Sequence, residues 1–381
     1  MRRILFVLLL VPAALAAESR AKNVILFIAD AGGTSTIAAA SWHAYNEPRR
    51  LFIQRMPHVA LSETSTASQF VTDSAAGMTA IATGQRTHNG VVGQSATAVR
   101  GKADGEPLKS ILEYAEERGL STGIITDDAI TGATPASLYA KANNRSMTAA
   151  IFRQVFAPRF GDGVDIMISA GRGAIAKALQ AEGIVLEDFA REKGRPILSS
   201  VAEIQPSTTR AIVLLESGEF DKTEAVDAAV RILSRNKKGY FLMVEADTHT
   251  DPVRRGLDRL AALDRAIEKT ARTVKSDTLL MFTADHSFDI RIRGGVHGKP
   301  ILEGLEAAEK ETPKGPIRIP AVRMENGHTG EAVMVAAQGP GASRVHGYMA
   351  NTDIFRVMMD AFGWRIPKTP VATSSTNAGA R

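Results

Sequence analysis

The chain has 381 residues, 44% of them hydrophobic and 23% charged, with a formal net charge of +5; these values suit one large α/β domain or two average ones of ordinary globular composition. Basic residues are scattered, with no long run and no aromatic interleaving, which argues against nucleic acid as a specific partner while suiting an anionic substrate. Cysteine is absent, so disulfides and thiolate metal sites are excluded.

Residues 1–17 have three parts: basic Met1-Arg2-Arg3, an apolar run over 4–10, and a stretch whose Ala14-Leu15-Ala16 suits signal peptidase. The apolar run is too short to span a bilayer comfortably. The reading is a signal peptide cleaved near Ala16 or Ala17, with a mature protein exported to the periplasm or the medium and carrying no membrane anchor. Short apolar runs bounded by Gly, Asp or Ser then recur at 24–29, 123–126, 164–169, 211–215, 240–244, 278–284 and 332–337. Such runs suit strands buried on both faces. Helical patterns lie between them at 108–118, 223–233, 257–274 and 352–362. The alternation predicts an α/β fold, a mainly parallel sheet flanked by helices on both faces. A single domain is expected over 23–366. Within it, 294–327 is rich in Gly, Pro and charge and reads as a long loop or lid. Residues 368–381 read as a disordered tail.

Acidic and histidine residues gather where these strands end. Asp30 follows the first run, Glu245 closes the fifth, and Asp285-His286 follows the sixth; Asp247 and His249 come just after Glu245, and His328 precedes the last strand. In open α/β sheets ligands collect beyond the carboxyl ends of the strands. Carboxylates and imidazoles converging there suit zinc or a similar divalent ion. Taken singly, an aspartate after a strand is more often a cap or a turn residue, but coincidence at every strand end is a weaker account than one shared site. Ser74 lies at the start of a helix-like run closed by Gly84, where free N–H groups favour phosphate and an alkoxide. The plainer reading is that Asp73 or Ser74 simply caps that helix.

The order of these motifs resembles the alkaline phosphatase family. Asp30-Ala31-Gly32-Gly33 is similar to the family's Asp-Gly-Met-Gly element, and Asp73-Ser74-Ala75-Ala76 to its nucleophile element. Gly132-Ala133-Thr134-Pro135-Ala136 resembles the Ala-Thr-Pro-Ala segment, with Arg145 at a matching distance beyond it. Val244-Glu245, Thr283-Ala284-Asp285-His286 and His328-Thr329-Gly330 complete the order. The resemblance implies that Ser74 is phosphorylated during turnover and that Arg145 clamps phosphate. It places Asp30, Ser74, Asp285 and His286 around one zinc, His328 at a second, and Asp30, Thr134 and Glu245 near a third, magnesium-type position.

Four departures stand out. Ala31 and Met78 replace smaller family residues, and Gly132 stands where the family carries Asp or His beside the third metal. The family's Asp-x-x-x-His pair after the Val-Glu strand is also absent. A short deletion places His249 on the family histidine, with Asp247 as the substitute carboxylate and Asp251 as its rival. The implied activity is hydrolysis of small phosphate monoesters through phosphoserine, with two zinc ions and magnesium at the third site; a homodimer is compatible with it. A phosphodiesterase on the same scaffold is the nearest alternative, and an exported, non-catalytic phosphate- or metal-binding protein the more distant one. The absence of cysteine weighs against a sulfatase.

Overall fold

The computed structural model describes residues 20–312 and 315–366. The expected signal segment 1–17 and tail 368–381 lie outside the described residues. The strand Asn23–Asp30 is buried at all eight positions. Val24, Leu26 and Ile28 enter one apolar core, while Ile25, Phe27 and Ala29 enter another on the opposite face. Successive strand side chains point to opposite faces, so a strand covered on both sides must be apolar throughout. Each fully buried Val, Leu, Ile or Phe contributes roughly 1.5–3 kcal/mol.

Among the described residues the main sheet has ten strands. From edge to edge they are Gly347–Met349, His58–Ser62, Val333–Gln338, Thr278–Thr283, Asn23–Asp30, Tyr240–Asp247, Ser121–Ala129, Ile166–Ala170, Ala211–Leu214 and Ile197–Leu198. Only Val333–Gln338 runs against the rest. The mainly parallel α/β fold is the one expected. The neighbouring strands His58–Ser62 and Gly347–Met349, at one end of the sheet, escaped the sequence reading because they are not continuous apolar runs. Val59, Leu61 and Tyr348 instead point outward and are exposed.

The segment expected as a long loop is built differently. It holds the helix Leu305–Glu311 and the strands Ile317–Arg318 and Val322–Met324, which join Arg291–Ile292 just before it in a three-stranded antiparallel sheet. Leu302, Leu305, Ile317, Val322 and Met324 are buried and join the second core. Its glycines, prolines and charges hid apolar residues too sparsely spaced to register as an element.

Candidate active site

Three neighbouring strands deliver the site. Asp30 and Asp247 are paired across adjacent parallel strands, and Ile28 is flanked by Glu245 on one side and Thr283 on the other. Asp285 and His286 follow the strand Thr278–Thr283 after Ala284 and are almost wholly buried. The two-stranded ribbon Ser287–Phe288 with His328–Thr329 pairs His328 with Phe288, which returns His328 to the side of His286. Facing them is the helix Ser74–Thr83, whose ten residues are all buried. Asp73 caps it by accepting from Ala76 N at 3.0 Å. Gly77 lets this helix press on the loop, since a Cβ there would lie 2.5 Å from the Asp285 carbonyl oxygen. Ala31 takes the place of a glycine at φ 66°, a left-handed conformation that alanine adopts at a cost. Met78 is fully buried in the first core.

Ser74 Oγ lies 3.3 Å from His286 Nε2 and 3.5 Å from Asp30 Oδ1, and His286 Nε2 is 3.1 Å from Asp30 Oδ1. Thr134 Oγ1 donates to Asp285 Oδ2 at 3.3 Å. His286 Nδ1 meets the Ser287 carbonyl at 3.1 Å, and His328 Nδ1 meets the Thr72 carbonyl at 3.0 Å. A backbone carbonyl can only accept, so each Nδ1 carries a proton and each Nε2 is the ring atom left for the site. The two rings stack with centroids 4.0 Å apart. Arg145 Nη1 pairs with Asp73 Oδ2 at 3.1 Å, beside the nucleophile's helix.

Burial opposes charge on Asp30, but His249, His286 and Arg145 outweigh it and hold its carboxyl far below the usual range. Asp285 moves the other way: burial, reinforced by the charge of Asp30, pushes it up to about 6. Burial also opposes charge on His286, yet Asp285 and Asp30 raise its imidazole to about 9. Glu245 is raised well above the carboxylate range by burial and by Asp30 and Asp128. Its Oε2 is buried without a hydrogen-bond partner among the described residues. Crowded carboxylates and an orphaned buried oxygen are what a bound cation would relieve.

Two donor sets fit metal ions. One is His249, His286 and His328, the other Asp30, Asp285 and His286, with donor atoms within 4.8 Å of one another in each. Nitrogen and oxygen donors without thiols suit zinc. Asp247 stands outside both sets. Its Oδ1 accepts from His249 Nδ1 at 2.8 Å, while its Oδ2 pairs with Arg259 at 3.1 Å and Arg255 at 3.4 Å. Asp251 is exposed and lines a separate surface cavity with Glu309 and Asn326.

The sequence reading missed a strand end. Asp127 and Asp128 close the strand Ser121–Ala129 just as Asp30 closes its own. Asp127 Oδ1 accepts from Asp247 N at 2.7 Å, and its other oxygen is paired with buried Lys222 and lies 3.7 Å from Arg259. This network braces the strand end that carries Asp247 and His249. Asp128 fills the room left by Gly132: a Cβ on Gly132 would fall 2.6 Å from Asp128 Oδ2. The Asp-Asp pair after the run 123–126 was the signal available.

Imidazoles and carboxylates converging with a serine and an arginine at the carboxyl edge of a mainly parallel sheet define an α/β protein with a metal-competent site. The alkaline phosphatase family model matches residues 21–167 and 220–319, and the chain belongs to that family. It is 27% identical over 434 residues to the tissue-nonspecific alkaline phosphatase isozyme of Mus musculus, covering 89% of this chain and 83% of that protein. It is also 27% identical over 424 residues to an alkaline phosphatase of Escherichia fergusonii, covering 91% and 87%. Among solved structures, the alkaline phosphatase of Thermus thermophilus superposes with a TM-score of 0.76 at 21% identity, covering 91% of this chain and 92% of that one. That of the Antarctic bacterium TAB5 gives 0.73 at 23%, covering 92% and 100%; a variant of it has been solved with magnesium bound in its M3 site. The chain is therefore a hydrolase of the alkaline phosphatase type, from a metal-dependent family acting on phosphate monoesters.

Proposed function

We propose that the protein hydrolyses small phosphate monoesters of broad kind through a phosphoserine on Ser74. The observation that carries this is the Ser74 hydroxyl, placed on a helix N-terminus within 3.3 Å of His286 Nε2 and 3.5 Å of Asp30 Oδ1. Ser74 Oγ attacks phosphorus, the ester P–O bond breaks, and the alcohol leaves with a proton. Water then attacks the phosphoserine, releasing inorganic phosphate and restoring the hydroxyl. The helix N-terminus favours the phosphate charge, and Arg145 binds two of its oxygens through a planar fork.

Two zinc ions and one magnesium fit the donor sets. Asp30, Asp285, His286 and Ser74 would hold one zinc, His249 and His328 with Asp247 the other. Asp30, Thr134, Glu245 and the added Asp128 would surround magnesium, the ion found in the TAB5 variant. Such ions lower the pKa of a bound hydroxyl and neutralise oxygens on the attacking and leaving sides. Asp247 supports the second zinc either directly or by orienting His249, a role its contacts support better than those of Asp251. Export after cleavage near Ala16 belongs to the same proposal, and the mass of the mature chain tests it.

Ser74→Ala should keep the fold and its metals and lose nearly all turnover. Labelled phosphate from a monoester should be trapped on wild-type Ser74 at low pH. Wild-type rates in the variant, or label on another residue, would overturn the reading. A higher rate on a diester than on a monoester would favour the phosphodiesterase alternative.

A further inference from the structure

The lid sheet carries a row of like charges. Arg318 pairs with Arg323, and Arg323 pairs with Arg291, straight across the three antiparallel strands. Directly paired residues lie on one face with stems roughly 5 Å apart. Arg293, two residues beyond Arg291, shares that face. All four are exposed and line a cavity of about 310 Å³ together with Glu325. Arg291 is partly neutralised, by Asp289 at 3.0 Å and Glu325 at 3.7 Å. Arg323 rests on the carbonyls of Ile319 and Val322. Among the described residues, Arg293 and Arg318 have no carboxylate within ion-pair reach. Like charges placed opposite one another destabilise a sheet, and solvated surface arginines have no need to share one row. Guanidinium is also the side chain suited to planar recognition of phosphate.

The row is joined through a short stretch of backbone to the ribbon that carries His328. Arg291 stands three residues after Phe288, whose ring lies 5.0 Å from that of His249; three residues reach at most about 11 Å. Asp289 locks the junction: its N–H donates to the Gly327 carbonyl at 3.0 Å, and its carboxylate accepts from Glu325 N at 3.1 Å. The strand pair holding His328 and the lid sheet therefore meet at one fixed joint.

We propose that this arginine row binds a second phosphate group on the substrate, so that the enzyme favours small molecules carrying two or more phosphates. The inference rests on the monoesterase reading above and adds a substrate class to it. The test is the double variant Arg318→Gln with Arg323→Gln. Its KM for fructose 1,6-bisphosphate should rise roughly tenfold, the effect of removing one charge-assisted hydrogen bond, while its KM for p-nitrophenyl phosphate stays unchanged. Calorimetric titration of inorganic pyrophosphate into metal-loaded Ser74→Ala protein should show two binding events. Adding the two arginine changes should remove one.

Equal effects on both substrates, no effect on either, or an unchanged pyrophosphate stoichiometry would overturn the proposal. Absence of monoesterase activity in the wild type would instead sink the functional reading, leaving the pyrophosphate count to decide the arginine site. Since the double variant relieves like-charge repulsion, it should melt no lower than wild type. Should it fail to fold, Arg318→Gln alone serves the same two measurements.

Discussion

Arg145 is held by Asp73, the residue that caps the nucleophile's helix. One Asp73 oxygen accepts from Ala76 N at 3.0 Å while the other pairs with Arg145 Nη1 at 3.1 Å. The cap thus sets the guanidinium beside Ser74. Arg145→Ala should weaken inhibition by inorganic phosphate by about 2–3 kcal/mol, the scale of a bidentate charge-assisted interaction. Metal content should stay unchanged. Asp73→Asn keeps an acceptor for Ala76 and should weaken phosphate binding less. An unaltered phosphate inhibition constant in Arg145→Ala would mark that side chain as mere surface.

Asp247 and Asp251 make opposite predictions. Asp247 faces His249 on one side and Arg259 on the other, whereas Asp251 is exposed. Asp247→Ala and His249→Ala should each lose one zinc per chain by mass-spectrometric metal analysis. Asp251→Ala should retain both ions and change stability by no more than about 0.5 kcal/mol. Retention in Asp247→Ala with loss in Asp251→Ala would reverse the assignment.

Asp128 stands in the space of a side chain that Gly132 lacks. Asp128→Asn should lower magnesium affinity roughly tenfold or more, the usual cost of losing a supporting carboxylate, with zinc content intact. Magnesium calorimetry on the zinc-loaded protein reads this directly. Identical affinities would leave Asp128 as a turn residue.

Asp264 provides a pH signature away from the metals. Its carboxylate accepts from Phe52 N at 2.8 Å and Ile53 N at 2.9 Å, yet burial pushes its pKa from 3.8 up to about 6. Between those values the folded chain holds a proton that the unfolded chain has released. The stabilisation from that proton is complete below the unfolded value and is lost as pH rises through the folded one. The stability of wild type relative to Asp264→Asn should therefore decline from pH 4 to pH 6 and level off above. Denaturant titrations at several pH values measure it, and a difference that grew with pH would contradict the assignment.

The sequence by itself determined the buried parallel strands, because a strand covered on both faces must be apolar throughout. It also marked Asp30, Glu245 and Asp285-His286, since a polar residue ending such a run is visible without knowing its neighbours. Ser74 was legible for the same reason, from a polar stretch followed by a helix and its closing glycine. Tertiary structure alone decided which way these groups face. The proton on His286 Nδ1 depends on the Ser287 carbonyl, and Arg145 reaches Ser74's helix through Asp73. Asp128 fills the space beside Gly132 through a turn that neither residue type specifies. The arginine row exists only because antiparallel pairing brings Arg291, Arg323 and Arg318 into line. Periodicity and punctuation are local properties of a chain, whereas register, hydrogen-bond direction and shared space arise between segments that the fold brings together.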